Sequence, residues 1–387
     1  MSRPLEGVRV LDLSRLLPGP FASMVLADLG ASVDKLEDPR AGDYARVSPP
    51  IIDGEGALFQ HLNRGKRAIT LDLKEPQGPS TFLRLIRHYD VLIESFRPGV
   101  MSRLGVGYED LKAVNPALIY CAITGYGQTG ELASRAGHDA GYLARAGVLS
   151  MTGPADGAPA LSGALMADIG GGSLYGVIGI LAALRQRDAS GEGQMVDIAM
   201  CEGAAQLGIF NHTASLGEGY RGAGQDLLSG GIAPYQNYST SDGRAVSLAA
   251  LEPKFWMTFC SAVGLPADLE ALHPGPHQVE WKRRVAEIIA RRTIAEWIEF
   301  AKAHDCCLEP ILTPEETRHS PPHTDRGSWM KVSTHRGGQM HQLRCPLGGP
   351  EQPSPAPARG AHTDEILQEA GLDASEIDAL RTSNTVA

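Results

Sequence analysis

The first 125 residues alternate short strand-like and helix-like segments, and this alternation constrains the fold more than any other feature of the sequence. The apolar runs have the length and composition of buried strands, and the segments between them have the spacing of amphipathic helices. The sequence predicts strands over residues 8–13, 31–36, 68–73, 91–94 and 118–124, and helices over 20–29, 81–89 and 108–114. Such alternation is typical of a parallel sheet that helices cover on both faces, so we expect an α/β domain.

The chain is too long for one hydrophobic core. It has 387 residues, whereas a single core usually stops growing at about 250–300 residues. Hydrophobic residues make up 43% of the chain and charged residues 21%, which excludes a wholly disordered or fibrous protein. We therefore expect two domains.

The middle of the chain predicts a buried helix followed by a linker. Residues 169–184 are apolar, rich in small side chains and nearly uncharged, which predicts a helix buried deep in the protein. Residues 217–231 are so rich in glycine that they are too flexible for the interior of a helix or strand. We predict a large domain over 1–215 and 331–387, a linker over 216–232 and a small domain over 233–330.

The predicted small domain mixes strands and helices. Residues 235–240 and 245–251 flank Ser241-Asp242-Gly243, a pattern typical of a β-hairpin. Helices are predicted over 279–290 and 293–304, and a further strand over 308–312. Residues 327–359 are predicted to be irregular, and helices over 363–370 and 374–380 are expected to pack back on the large domain.

Charge and cysteine usage restrict the partners. The net charge of −10 argues against a surface that attracts nucleic acid or anionic membranes, so an anionic ligand would need a local basic patch. The six cysteines lack metal-type spacing, which predicts reduced thiols in a soluble, cytoplasmic protein. Two prolines separate His319 from His323, so these histidines cannot line one helical face and no metal site is expected.

The turn after the first predicted strand does not fit a dinucleotide site. That site needs the glycine pattern GxGxxG, because the pyrophosphate must approach bare backbone at the start of a helix. Residues 14–20 instead contain Pro18 and Pro20, which remove two amide donors, and they lack the glycine triplet. NAD or FAD is therefore not expected at this turn.

Two ionisable side chains stand at the starts of predicted helices. His138 precedes one apolar helix, and Asp168 opens the segment that continues into the predicted buried helix. An aspartate at such a position is often only a helix cap, and a lone histidine is often a core or surface residue. Neither residue indicates a reaction without support from the rest of the chain.

That support comes from short motifs spread over nearly the whole chain. They are Leu17-Pro18-Gly19-Pro20-Phe21, residues 26–31, Arg64-Gly65-Lys66-Arg67, Leu71-Asp72-Leu73-Lys74, Phe96-Arg97-Pro98-Gly99-Val100, residues 125–128, Gly137-His138-Asp139, Leu251-Glu252-Pro253, residues 310–313 and residues 362–367. In these motifs the chain resembles the α-methylacyl-CoA racemases, which are members of the wider class III CoA-transferase family. The transferases generally lack the histidine that matches His138, whereas both branches carry an aspartate that matches Asp168.

The resemblance implies an architecture and a reaction. It implies a Rossmann-like large domain and a smaller α+β domain, with two chains interlocked as a homodimer. It also implies an active site between the large domain of one subunit and the small domain of the other. The implied reaction is racemisation of 2-methylacyl-CoA thioesters, a step of lipid metabolism, in which the CoA is part of the substrate and no separate cofactor is needed.

A racemase of this kind needs two bases, because a proton leaves one face of the α-carbon and another arrives on the opposite face. His138 and Asp168 are the expected pair, and the resemblance implies that Glu252 of the partner subunit orients or stabilises His138. An amide at the helix start around Asp168 is the expected donor to the enolate oxygen.

Basic residues near the ends of the predicted strands are the expected CoA ligands, since nucleotides bind at that edge of open α/β sheets. Arg64 and Arg97 lie within motifs of the resemblance and are the preferred candidates. The full predicted set is Arg40, Arg64, Lys66, Arg67, Leu71, Lys74, Arg97 and Arg103.

Two alternatives remain open at this level. In a class III CoA-transferase, Asp168 would be a nucleophile that forms an anhydride, and His138 would be incidental. A CoA-binding protein without activity is the other alternative, because Ala164 stands where the racemases commonly have an asparagine that helps hold the catalytic aspartate.

Overall fold

The computed structural model describes residues 3–217 and 219–387, and a parallel sheet is its central feature. The first eight strands are β1 (Arg9–Asp12), β2 (Ser32–Glu37), β3 (Ile51–Ile52), β4 (Glu55–Gly56), β5 (Arg67–Thr70), β6 (Val91–Glu94), β7 (Ile119–Thr124) and β8 (Met195–Ala199). Six of these pair in parallel in the order β5–β2–β1–β6–β7–β8, while β3 and β4 form a separate short hairpin. The predicted α/β sheet is confirmed.

The order of the strands places a crevice in the sheet. From β1 the chain builds outward through β2 and β5 on one side, then returns and builds through β6, β7 and β8 on the other. Loops at the carboxyl ends of β1 and β6 therefore leave in opposite directions. In open α/β sheets ligands bind at such a point, so the fold predicts a site beside residues that follow β1 and β6.

Helices cover both faces of the sheet. The α-helices of the first 214 residues and one π-helix are α1 (Pro18–Asp28), α2 (Ala57–Leu62), α3 (Gly78–Leu85), α4 (Val100–Arg103), α5 (Tyr108–Val114), α6 (Asp139–Arg145), the π-helix (Met166–Leu174), α7 (Tyr175–Ser190), α8 (Met200–Leu207) and α9 (Ile209–Ala214). The core beneath α3 and α5 joins Leu11 and Leu92 of the sheet to Phe82 and Leu111, all completely buried. Burial of this apolar surface is the main free energy that holds the layers together.

The expectation of one deeply buried helix over 169–184 is wrong. The segment is a π-helix followed by α7, and Ile178 of α7 is 59% exposed. By length and composition alone, the helical residues 166–190 could cross a membrane. Half of the most apolar stretch within them is buried inside the protein. Small residues such as Gly176 pack against the sheet on one face, and apolar side chains remain on the other.

Contacts between residues divide the chain into two compact units. The first contains residues 1–146, 164–207 and 321–387, and the second contains 147–163 and 208–320. The second unit thus includes 147–163 and 208–215, which lie in the predicted large domain, whereas its end at 320 is close to the predicted 330. The division into folding domains and a linker stays a prediction.

The second unit has its own sheet and core. Besides α9, its strands and α-helices are β9 (Tyr235–Ser239), β10 (Ala245–Ala249), α10 (Pro253–Val263), α11 (Gln278–Ile289), α12 (Ile294–Ala303), β11 (Leu308–Pro310) and α13 (Pro314–Thr317). The three strands pair antiparallel in the order β11–β10–β9, as the predicted hairpin requires. Trp256, Trp281 and Trp297 fill the core together with Phe259 and Phe300.

The C-terminal segment completes the first unit. It contains α14 (Pro321–Asp325), β12 (Trp329–Ser333), β13 (Gln339–Leu343), α15 (Thr363–Glu369) and α16 (Ala374–Thr382). Ile366 and Leu367 of α15 are buried in the core of the parallel sheet, which confirms that the tail packs on that domain. The antiparallel pair of β12 and β13 lies where the sequence predicts irregular structure, so that prediction is wrong. These strands are hard to detect because only alternate side chains of each are buried and no continuous apolar run marks them.

Candidate active site

Buried charges build the turn after β1. The Asp12 carboxylate accepts hydrogen bonds from the Ser14 amide at 2.9 Å, the Ser23 hydroxyl at 2.6 Å and the Lys66 ammonium at 3.1 Å. Lys35 donates to the Ser14 carbonyl at 2.7 Å. Burial opposes ionisation of Asp12, but Lys35 and Lys66 hold its pKa far below the ordinary value. Side-chain ion pairs therefore stabilise a turn that in dinucleotide-binding proteins is rich in glycine.

A cavity of about 1080 Å³ opens at the carboxyl ends of β1 and β6 within the first unit. Residues after both strands line it, Leu13 and residues 15–18 from one and Ser95 to Pro98 from the other. Ligand pockets usually measure about 300–1,000 Å³, so the cavity is large enough for a nucleotide-sized ligand. The same cavity reaches Gly137, His138 and Asp168.

Four cationic side chains line this cavity, namely Arg15, Lys74, Arg97 and Arg135. In the described part of the chain none of the four forms an ion pair within 4 Å. The guanidinium of Arg15 lies between two aromatic rings, 5.2 Å from the centre of Tyr44 and 5.5 Å from that of Phe96. Cations without a carboxylate partner leave positive charge for an anionic ligand.

Three of the eight predicted CoA ligands line the cavity: Leu71, Lys74 and Arg97. Arg64 lies elsewhere, because it is completely buried and its guanidinium binds Asp28 at 2.6 Å and Gln342 at 3.1 Å. Lys66 is also buried, and burial lowers its pKa to about 8 despite the charge of Asp12. Both basic residues therefore hold the interior of the first unit together.

The remaining three predicted ligands lie outside the lining, Arg67 half-buried and Arg40 and Arg103 exposed. Arg67 binds Asp34 at 2.8 Å together with Glu365 and Glu369 of α15, so it ties the tail to the sheet. Arg40 pairs with Asp72, and Arg103 is exposed on α4. The structure thus brings fewer of the predicted cations to the cavity than the strand-end pattern indicates.

Asp168 lies on the π-helix, at its third residue. A β-carbon added at Gly171 would come within 2.6 Å of the Ala204 amide nitrogen of α8, so the two helices touch backbone to backbone. Gly203 of α8 makes the reciprocal contact with Gly171. The Ser173 hydroxyl donates to the Pro18 carbonyl at 2.7 Å and to that of Asp168 at 3.0 Å. These contacts hold the residues around Asp168 against α1 and α8.

The amides at the start of the π-helix already have partners. Asp139 accepts hydrogen bonds from the Ala167 amide at 2.8 Å and from the Asp168 amide at 2.9 Å, both with Oδ1. The Ile169 amide donates to the Leu165 carbonyl at 3.0 Å. These three amides therefore have acceptors within the protein, and the expectation that an amide around Asp168 stabilises an enolate oxygen stays a prediction.

The surroundings of Asp168 favour its neutral form. Burial and, second, the negative charge of Asp139 raise the pKa of Asp168 to about 6, while His138 acts in the opposite direction. His138 itself is exposed and immediately precedes α6. Burial and the charge of Asp168 raise the pKa of Tyr142 to about 12, so this phenol stays protonated at neutral pH. The lining of the cavity therefore includes the exposed imidazole of His138 and, in Asp168, a carboxyl whose pKa lies near neutrality.

Glu252 belongs to the second unit. It is exposed and caps α10, where its carbonyl accepts the Phe255 amide at 3.0 Å and the Trp256 amide at 3.2 Å. The side-chain carboxylate of Glu252 takes no part in capping the helix. The role that the resemblance implies for Glu252 stays a prediction.

Sequence reasoning missed several residues of the site. Arg15 and Arg135 lie in none of the motifs. Their positions could have indicated them, because Arg15 follows the first strand and Arg135 lies three residues before His138. Glu94 ends β6, directly before the residues that line the cavity; it is buried and accepts the Phe96 amide at 2.6 Å. Burial raises the pKa of Glu94 to about 7. An acidic residue that ends a central strand was the available signal for it.

Comparison with known proteins identifies the family. Residues 5–363 match the protein family described as "CoA-transferase family III". Human alpha-methylacyl-CoA racemase is 38% identical, over 99% of this chain and 97% of its own. A succinate–glutarate CoA-transferase of Agrobacterium fabrum is 35% identical, over 95% of each chain. The crystal structure of a CAIB/BAIF family protein from Brucella suis matches with a TM-score of 0.80 and 32% identity, covering 96% of this chain and 100% of that one. With the sheet, the cavity and the sequence in agreement, the chain belongs to CoA-transferase family III.

Proposed function

We propose that the protein racemises or epimerises 2-methylacyl-CoA thioesters. The observation that carries the proposal is the presence of His138 and Asp168 in the lining of one cavity. Burial raises the pKa of Asp168 to about 6, so this carboxyl can both release and accept a proton near neutral pH. A reaction that runs in both directions needs two groups that can each give and take a proton, one on each side of the α-carbon.

The lining of the cavity divides into two parts. Arg15, Lys74 and Arg97 supply charge for the phosphates of CoA, together with Arg135. His138 and Asp168 serve the acyl group: one base removes the α-proton to leave an enolate, and the other delivers a proton to the opposite face. The roles reverse for the other epimer. Because CoA enters and leaves with the acyl group, no separate cofactor takes part.

The first test follows the α-proton. The protein is incubated in heavy water with a set of 2-methylacyl-CoA esters and no acceptor acid, and deuterium at the α-carbon is measured by mass spectrometry. We expect deuterium to be incorporated at the α-carbon and a single epimer to be converted into a mixture of both epimers. The His138→Ala and Asp168→Ala variants should each lose roughly 10²-fold or more of the rate, the usual effect of removing a positioned acid or base. Near-normal turnover in His138→Ala would remove that residue from the mechanism. Turnover of any acyl-CoA by the parent protein would exclude the alternative of a CoA-binding protein without activity.

The second candidate is a CoA-transferase, and a specific observation favours it. The transferase from Agrobacterium fabrum is nearly as similar as the human racemase, at 35% identity against 38%. In a transferase the Asp168 carboxylate attacks the thioester and releases the CoA thiolate, leaving a mixed anhydride. Hydroxylamine attacks that anhydride and can leave a hydroxamate on the protein.

Hydroxylamine therefore separates the two reactions. Since the proposed racemase uses Asp168 only to carry a proton, we expect no loss of activity when acyl-CoA and hydroxylamine are added together. Peptide mass mapping should show unmodified Asp168, and no CoA should pass to free carboxylic acids. A stoichiometric hydroxamate at Asp168 would replace the racemase proposal with the transferase.

A further inference from the structure

The aspartate that follows His138 has no part in the proton transfer proposed above, yet it contacts the backbone of the other base. Asp139 is the first residue of α6, is 6% exposed and lines the cavity. Its Oδ1 accepts the amides of Ala167 and Asp168, at 2.8 and 2.9 Å. One carboxylate oxygen therefore joins the start of α6 to the start of the π-helix.

This contact connects the two proposed bases directly. His138 is the residue before Asp139, and one of the two amides belongs to Asp168 itself. The path from one base to the other thus runs through one peptide unit and one pair of hydrogen bonds. Hydrogen bonds to a charged acceptor are shorter and stronger than neutral ones, so this pair restricts the displacement of the two backbones.

The charge of Asp139 also acts on Asp168. The titratable groups that face the Asp168 carboxyl are Asp139, His138 and Tyr142. After burial, Asp139 is the main influence that favours the protonated form, and the histidine opposes it. A substitution that removes the charge but keeps an acceptor oxygen separates this effect from the effect on position.

We propose that Asp139 is a positioning residue that clamps the Asp168 backbone to the helix carrying His138 and so keeps the two bases in register. The inference rests on the proposed racemase function. It assigns a separate role to the third residue of the Gly137-His138-Asp139 motif, which stands beside His138 without being a proton donor or acceptor in the reaction.

The test compares two substitutions at Asp139 with one matched control. Asp139→Asn keeps an oxygen that can accept both amides and removes the charge, whereas Asp139→Ala removes the contact. The control is Asp110→Ala, since Asp110 of α5 also accepts a backbone amide, that of Gly107 at 2.9 Å, away from the cavity. Each variant is assayed for α-proton exchange as a function of pH, and its Tm is measured.

We expect Asp139→Ala to lower kcat by about tenfold or more with little change in KM, because small displacements of reacting groups cost much of the rate. Asp139→Asn should keep most of kcat at its optimum. Its acid limb of kcat/KM should move to lower pH by about half a unit or more, because a neighbouring like charge is removed. Asp110→Ala should keep the parent rate and profile.

Other outcomes contradict the proposal. If Asp139→Ala keeps the parent kcat, or if Asp139→Asn loses as much activity as Asp139→Ala, the clamp is not what the site needs. A fall in activity that merely follows the unfolded fraction would also overturn it. If the parent protein exchanges no α-proton, the racemase proposal fails, and hydrogen exchange of the Ala167 and Asp168 amides in the parent and variant proteins then decides the inference alone. Equal exchange of these amides in the parent and Asp139→Ala would refute it. Where Asp139→Ala does not fold, unchanged exchange in Asp139→Asn would refute it, because a neutral acceptor holds an amide more weakly than a carboxylate does.

Discussion

At the scale of single residues, the partner of a basic side chain decides what that side chain does. Arg64 and Lys66 are buried and bound to Asp28 and Asp12, so their charge is already compensated. Arg97 is exposed at the cavity and forms no ion pair in the described residues. The sequence shows three similar cations near the ends of predicted strands, but the structure makes two of them part of the interior.

Two arginine substitutions should separate these roles. Arg64→Ala leaves the Asp28 carboxylate buried without its partner, which typically costs about 3–5 kcal/mol in the free energy of unfolding. Arg97→Ala should leave stability nearly unchanged and raise KM for acyl-CoA roughly tenfold or more, because a hydrogen bond to a charged group contributes about 1.5–3 kcal/mol. Urea unfolding and steady-state kinetics measure the two effects. The reverse pattern, a stable Arg64→Ala protein with weak binding, would return Arg64 to the CoA site.

At the scale of elements, the π-helix is the part of the fold that positions Asp168. It contains three consecutive glycines, Gly170 to Gly172, and at Gly171 its backbone meets that of α8 directly. π-helical turns are rare and frequently lie at functional sites. The close contact with α8 explains why small residues are concentrated in a segment that composition alone describes as a buried helix.

Gly203→Ala should disturb this arrangement. The added β-carbon would meet the carbonyl and Cα of Gly171, and backbone atoms cannot move aside as a flexible side chain can. We expect a loss of about 1–3 kcal/mol in the free energy of unfolding, as overpacking generally causes. A fall in kcat should accompany it, since Asp168 is carried on the displaced helix. Chemical unfolding and kinetics measure both effects.

Gly141→Ala on α6 is the matched control. A β-carbon there would meet no atom within 4 Å, so stability and activity should stay at the parent level or rise slightly. Equal losses in Gly203→Ala and Gly141→Ala would show that the backbone contact with α8 is not the cause.

At the scale of the whole molecule, the open question is whether the proposed active site is shared between two chains. Glu252 lies beyond the glycine-rich segment in the second compact unit, whereas His138 and Asp168 lie in the first. The family resemblance implies that Glu252 acts on the His138 of a partner subunit in an interlocked homodimer. The dimer is therefore a proposal that mixed subunits can test.

Equal amounts of Asp168→Ala and Glu252→Ala subunits are refolded together and compared with each variant refolded alone. Random pairing makes half of the dimers mixed, and a mixed dimer has one site with both defects and one intact site. Roughly a quarter of the parent activity should therefore return. Each variant alone should stay inactive after the same treatment. No recovery, or a stable and fully active monomer in sedimentation analysis, would contradict a shared site.

The sequence by itself determined the class of the fold, the positions of most helices and strands, and the family. Periodicity is a local property: the pattern of residues 8–124 predicts a parallel sheet because each segment shows which of its faces must be buried. β8 was not predicted, since it is a short edge strand whose Asp197 is exposed and interrupts the apolar run.

Only the tertiary structure decided which charges are paired and which remain available to a ligand. Arg64 meets Asp28 across 36 residues and Gln342 across 278, and no local pattern records contacts between positions so far apart. The same holds for the cavity, which forms only when the loops after β1 and β6 come together, and for the contact of Asp139 with the amide of Asp168. Chemistry at this site depends on distances in space, whereas a sequence specifies directly only the order along the chain.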